Sequence, residues 1–280
     1  MTPKLKDRFL DKHGVEVYVK REDMIDQHIS GNKWRKLKYN MLHALYSGRE
    51  VAHRVTQCII TFGGAFSNHI AATAATASKC KMKAIGIIRG EELSEQPLNP
   101  TLAAAAANGM IFKFINREEY RLLTSKSEDV RLHPAIRHLV PEGGANWLGM
   151  YGCSEILRDV ELASSSHDLR EFDIVCTACG TGSTLAGMSL AAAPENRLIG
   201  FPVLKGAQFL ESDVEEQLQW FYETHGIKLD PIYTGKMMKG IYQLIQQGQI
   251  ADSRVLAIHT GGLQGIAGVE LKTGKKLFDS

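Results

Sequence analysis

Runs of nearly continuous apolar residues, spaced through the chain and separated by longer helical patterns, constrain this sequence more than any other feature in it. They are Cys58-Ile59-Ile60-Thr61-Phe62, Ala84 to Ile88, Met110 to Ile115, Ile174 to Cys179, Leu198 to Val203 and Val255 to His259. A strand wetted on one face alternates polar and apolar residues, whereas one that is apolar throughout is covered on both faces. Parallel sheets wrapped by helices meet that demand. Between the runs lie helical stretches: Trp34, Leu37, Met41 and Leu45 at helical spacing, an Ala/Thr helix from about Ser67 to Ser78, and another from Thr101 to Ala107. Val15 to Val19 reads as a further strand.

The expected fold is therefore α/β, with open, twisted, mostly parallel sheets. At 280 residues the chain can bury two lobes. Ser47-Gly48-Arg49-Glu50 and Gly143-Gly144-Ala145-Asn146 are the candidate crossings. They predict a larger lobe from 1–45 and 146–280 and a smaller lobe inserted as 46–145. Lys and Arg (33) nearly cancel Asp and Glu (31), so the charge calls for neither nucleic acid nor a membrane surface. No run approaches a membrane span, and the first residues lack the apolar core of a secretory signal. Five irregularly spaced cysteines do not form a disulfide framework, which points to a reducing cytoplasm. Cys176-x-x-Cys179 has no second cysteine pair, and the histidines show no ligand spacing, so no metal is expected.

Ligands in open α/β folds sit beyond the carboxyl ends of the strands, so the loops there carry the search. Ser30-Gly31-Asn32-Lys33-Trp34-Arg35-Lys36 opens a helix, with Ser30 or Asn32 as its expected cap. Three cations in a first turn oppose the helix dipole, a local violation that hints at function. Lys33 suits imine chemistry, and Lys36 suits a phosphate. Taken alone, the loop is also an ordinary solvated basic helix start. Cys179-Gly180-Thr181-Gly182-Ser183-Thr184 joins a strand to a helix through small residues and hydroxyls, as an anion cradle requires. It lacks the Gly-Lys-Ser/Thr of a nucleotide loop, and Gly187 comes too late for the dinucleotide fingerprint. One phosphate fits it better than ATP or NAD. In Gly63-Gly64-Ala65-Phe66-Ser67-Asn68-His69 the helix start is suited to a carboxylate, though a simple cap would look the same. Tyr233-Thr234-Gly235-Lys236 and His259-Thr260-Gly261-Gly262 are weak signals singly.

Together these stretches resemble the 1-aminocyclopropane-1-carboxylate deaminase/D-cysteine desulfhydrase family, from about Val15 to Gly262. The likeness also takes in Val19-Lys20-Arg21-Glu22-Asp23, Arg89-Gly90-Glu91-Glu92 and Pro141-Glu142-Gly143-Gly144. It implies pyridoxal 5′-phosphate (PLP) as cofactor and the two-sheet PLP fold type II of tryptophan synthase β. It implies that Lys33 holds the cofactor's aldehyde covalently and moves the substrate Cα proton. Lys36 with Gly180, Thr181, Gly182, Ser183 and Thr184 would grip the phosphate, and Asn68 the phenolic oxygen. Ser67, Asn68 and His69 would receive the substrate carboxylate, Ser67 and Tyr233 would act in catalysis, and Thr260 would border the cofactor. The cyclopropane deaminases share a Glu where this chain has Thr234, and lack a Thr at the position of Thr260. Such a carboxylate keeps the ring nitrogen protonated better than a hydroxyl does, so the resemblance tilts toward β-elimination. D-cysteine going to pyruvate, sulfide and ammonia is the expected reaction. Cyclopropane opening is the alternative, and a non-catalytic PLP-binding protein the reading of another class. The segment from Leu204 to Asp230 is short for the family and lacks a substrate-side tyrosine, since Tyr222 falls in a helical pattern with Trp220 and Phe221. A homodimer is expected by default.

Overall fold

The computed structural model describes residues 2–46, 58–125, 136–162, 168–203 and 214–278. The crossing proposed at Ser47-Gly48-Arg49-Glu50 and the first part of the 204–230 segment lie outside the described residues. Among the described residues eight strands form two four-stranded sheets. One contains β1 (Glu16–Arg21), β6 (Ile174–Cys179), β7 (Arg197–Pro202) and β8 (Arg254–His259), in the order β1-β8-β6-β7. The other contains β2 (Cys58–Gly64), β3 (Lys83–Arg89), β4 (Met110–Ile115) and β5 (Ile136–Val140), in the order β4-β3-β2-β5. Every pairing within both sheets is parallel. The continuous apolar runs have the expected cause: β6 is buried along all but its last residue, and β8 along all but its first.

Among the described residues ten helices cover the sheets: α1 (Arg8–Lys12), α2 (Asn32–Tyr46), α3 (Asn68–Lys79), α4 (Pro100–Ala107), α5 (Arg117–Ser125), α6 (Trp147–Leu162), α7 (Ser183–Ser189), α8 (Val214–His225), α9 (Thr234–Gln246) and α10 (Gly265–Thr273). Ile199 and Phe201 of β7 pack with Met237, Met238 and Ile241 of α9 and Phe221 of α8 in one core. A second core joins Leu37, Met41 and Ala44 of α2 to Ile70, Ala74 and Ala77 of α3 over Ile59 and Ile88. A third sets Cys153, Ile156, Leu157 and Val160 of α6 against Val175, Leu256 and Ile258. Thus α2, which carries Lys33, packs on the β2–β5 sheet while its first turn touches the end of β8. Asn32 N donates to Thr260 O at 3.2 Å. Gly31 lies so close to that strand end that a Cβ there would stand 1.9 Å from Thr260 O, and its φ is +65°. Only glycine fits.

Candidate active site

The start of α2 differs from the expected cap. Ser30 Oγ donates to Asp23 O, and Asn32 is itself the first helical residue. The Asn32 side chain works as a bracket instead: its Nδ2 donates to Thr184 Oγ1 at 2.8 Å, and its Oδ1 accepts from Lys33 Nζ at 2.8 Å. Burial, aided by the neighbouring Lys36 charge, pulls the Lys33 amine down to about 7. Lys36, 3% exposed, donates to Gly143 O at 3.0 Å, and burial lowers its amine too. The third cation has a different solution. Arg35 forms a two-pronged bond to Glu22 (2.8 and 3.0 Å) and reaches Asp159 at 2.6 Å. Carboxylates from two other elements thus offset the charge that the helix dipole disfavours. Sequence reasoning missed both partners, although Glu22 stood in a quoted motif.

Lys33 and Lys36 open onto a cavity of about 500 Å³. Its wall includes Ser67, Asn68, His69, Gly180, Thr181, Gly182, Thr184 and Tyr233, ten candidate residues counting the two lysines. Ser183 does not line it. Its hydroxyl, 2.9 Å from that of Thr181, supports the loop from behind. Gly182, at φ +79°, leads into α7 with no side chain capping the helix, which leaves amides of the first turn facing the loop.

On the opposite wall Ser67 caps α3, accepting from Ile70 N. Its own hydroxyl hydrogen stays available, as do the main-chain N–H groups of Asn68 and His69, which have no intrahelical acceptor. Asn68 Oδ1 is buried with no hydrogen-bond partner. The His69 ring can be assigned. Thr61 spends its one hydroxyl hydrogen on Val140 O (2.9 Å), so His69 Nε2–H is the donor across the 2.8 Å contact to Thr61 Oγ1. That leaves His69 Nδ1 as a buried, unpartnered lone pair. Burial and the two lysine charges hold the ring neutral, well below its usual range. The ring therefore offers an acceptor, and a carboxylate can use only the main-chain N–H of His69.

The two threonines singled out with the ring nitrogen part company. Thr234 is fully buried, donating its hydroxyl to Asp230 Oδ2 at 2.7 Å and accepting from Asp230 N at 2.9 Å. Thr260 instead borders a small annex of the cavity with Asn32, Lys33, Asn68 and Tyr233. Asp230 was missed at the sequence level. Its carboxylate takes the main-chain N–H groups of Ile232, Tyr233 and Thr234 at 3.0, 2.7 and 2.9 Å, so it fixes Tyr233 at the cavity wall. An Asp before Pro231, four residues ahead of the first residue of α9, was the readable signal. Burial, with Asp230 and Glu142, raises the Tyr233 hydroxyl. Cys176 is buried in β6, and burial pushes its thiol well up.

These residues fit a phosphorylated pyridine aldehyde. A lysine amine near neutrality would serve its carbonyl, a loop of small residues at a helix start would serve its phosphate, and the orphaned Asn68 amide would answer a polar ring substituent. Fold and site together define a PLP-dependent enzyme of fold type II. No family model matches the chain. A Pyrococcus abyssi protein named "Putative 1-aminocyclopropane-1-carboxylate deaminase" is 30% identical, over 90% of this chain and 86% of its own. The mitochondrial "Bifunctional D-cysteine desulfhydrase/1-aminocyclopropane-1-carboxylate deaminase" of Arabidopsis thaliana is 29% identical, over 91% and 74%. A crystal structure of an "ACC deaminase homologue" superposes with a TM-score of 0.74 at 25% identity, covering 97% of this chain and 93% of that one. The chain belongs to the 1-aminocyclopropane-1-carboxylate deaminase/D-cysteine desulfhydrase family.

Proposed function

We propose that the enzyme performs β-elimination on a small amino acid, with D-cysteine plus water giving pyruvate, hydrogen sulfide and ammonia. The carrying observation is the Lys33 amine, held near neutral pKa in a cavity between a glycine-lined anion loop and the start of α3. Lys33 holds PLP, Lys36 and residues 180–184 hold its phosphate, and Asn68 meets its phenolic oxygen. When bound, PLP supplies an electron sink for the charge left at Cα.

The remaining work belongs to side chains of this protein. The Ser67 hydroxyl and the main-chain N–H groups of Asn68 and His69 take the substrate carboxylate, at a helix end where negative charge is favoured. Lys33 removes the Cα proton, a task matched to an amine that titrates near the working pH. The Cβ–S bond then breaks and sulfur leaves with its electron pair as hydrosulfide. Asn32 orients the lysine through the 2.8 Å contact, and Tyr233, fixed by Asp230, closes one side of the substrate space.

Elimination is favoured over cyclopropane opening because the side chain of this pair that reaches the cavity region is Thr260, a neutral hydroxyl, while Thr234 is committed to Asp230. Both activities occur in the name of the Arabidopsis relative. Among the described residues no helix is long and apolar enough to cross a membrane. A cytoplasmic homodimer, with lobe boundaries near 45 and 146, completes the reading. Purified protein incubated with PLP should absorb visible light, and with D-cysteine should release sulfide and pyruvate. Lys33→Ala should lose both properties. A protein that takes up no PLP overturns the proposal; one that takes it up and turns over no D- or L-amino acid is a binding protein instead.

A further inference from the structure

Among the described residues, the reaction above leaves one cation of the cavity unused. Arg89 ends β3 in register with Gly64 at the end of β2, beside the loop that leads into α3. Its Nη2 lies 3.6 Å from where a Cβ on Gly64 would stand, an ordinary contact, and its exposed side chain lines the cavity. The guanidinium rests over the Tyr120 ring, 5.4 Å from its centroid. Tyr120 is a firm platform, 3% exposed and edge-packed on Phe62. Among the described residues no carboxylate pairs with Arg89, and nearby Glu92 faces Arg117 at 3.8 Å. Glu142 lines the same cavity without forming an ion pair to Arg89.

The anions already assigned do not call for this cation. The phosphate belongs with Lys36 and residues 180–184, and the α-carboxylate with the start of α3. A planar, permanently charged guanidinium set on an aromatic face and turned to a ligand cavity is suited to a carboxylate, phosphate or sulfonate. We propose that Arg89 determines specificity, favouring small amino acids whose side chain carries a second negative charge or, like the departing sulfur of D-cysteine, develops one. This rests on the proposed function only in placing the α-carboxylate at α3.

The test uses PLP-loaded wild type, Arg89→Gln and Arg89→Lys, checked for equal far-UV circular dichroism. Binding of alanine, aspartate and O-phosphoserine, each in both hands, is measured by calorimetry, and turnover of D-cysteine is measured in parallel. One charge-assisted hydrogen bond corresponds to roughly a tenfold to hundredfold change in affinity. Wild type should bind aspartate or O-phosphoserine at least about tenfold tighter than alanine. Arg89→Gln should erase that preference while leaving alanine within about twofold, and Arg89→Lys should restore part of it. Equal losses for alanine and aspartate would assign Arg89 to the α-carboxylate and overturn the inference, as would a wild type that prefers neither dianion. Arg89-dependent aspartate binding without D-cysteine turnover leaves the inference standing and removes the proposed reaction. Turnover of D-cysteine with no dianion preference does the reverse.

Discussion

Replacing Lys33 by methionine should stabilise the cofactor-free protein, by an amount that depends on pH. The amine falls from an ordinary 10.5 to about 7 in the folded chain. At 1.36 kcal/mol per unit this is a penalty on the charged form of ~5 kcal/mol. Because the side chain is only partly buried, water screens some of it, and ~3 kcal/mol is the working figure. A depressed lysine acts in a definite direction. Below pH 7 both folded and unfolded chains carry the proton, and the penalty is felt in full. Between about 7 and 10.5 the unfolded chain holds a proton that the folded one has shed, so stability rises with pH. Above that window the penalty is gone. Urea unfolding of apo wild type and Lys33→Met at pH 6.5, 8 and 9.5 should therefore show the variant ahead by ~3 kcal/mol at the lowest pH, with the lead shrinking on the way up. Adding PLP should reverse the order, since only wild type binds it covalently and gains by mass action. A variant less stable than wild type at pH 6.5, or a gap that does not change with pH, would refute the claim that this amine is held against its charge.

Three further outcomes follow from the contacts around the cavity. Glu22→Gln, which breaks the buried two-pronged pair with Arg35, should cost about 3 kcal/mol in urea unfolding. Asp230→Asn should cost about 1–2 kcal/mol through lost capping of the 230–234 turn. Removing the charge that supports protonated Lys33 should also move the acid limb of the kcat profile, which reports groups free in the substrate complex, to lower pH; an unmoved limb would deny Asp230 that influence. Gly262→Ala, at φ +99° and with its new Cβ 3.1 Å from Asn68 Nδ2, should cost about 1–2 kcal/mol and weaken PLP retention in dialysis, and full retention would place Asn68 away from the cofactor.

Much of this fold was legible because burial on both faces leaves a simple mark. Met110–Ile115 and Ile174–Cys179 coincide with β4 and β6 for that reason. β5 escaped because Arg137 and His138 interrupt its apolar run. In the fold that ring meets Asn40 Oδ1 at 2.7 Å, within an amide pair with Asn146, so the polar residue is satisfied rather than excluded. α6 also went unread, although Cys153, Ile156, Leu157 and Val160 keep helical spacing. The helix read from Trp34, Leu37, Met41 and Leu45 is α2: Leu37 and Met41 are buried with Leu45 packed against the same core, while Trp34 stays 37% exposed. In the site, loops with an unusual local composition announced themselves. Arg89 was quoted only as part of a motif, and Asp230 and the Asn32 bracket depend on partners that no local pattern names. The His69 tautomer needed Thr61 and Val140 together, from two strands brought side by side by folding.

The bracket at Asn32 joins residues 152 apart in the chain. At synthesis rates of roughly 5–20 residues per second, Lys33 waits about 8–30 s before the far partner exists. Until then it is an ordinary lysine, protonated at neutral pH. Its lowered amine is thus a late product of translation, conferred when the far wall of its enclosure arrives.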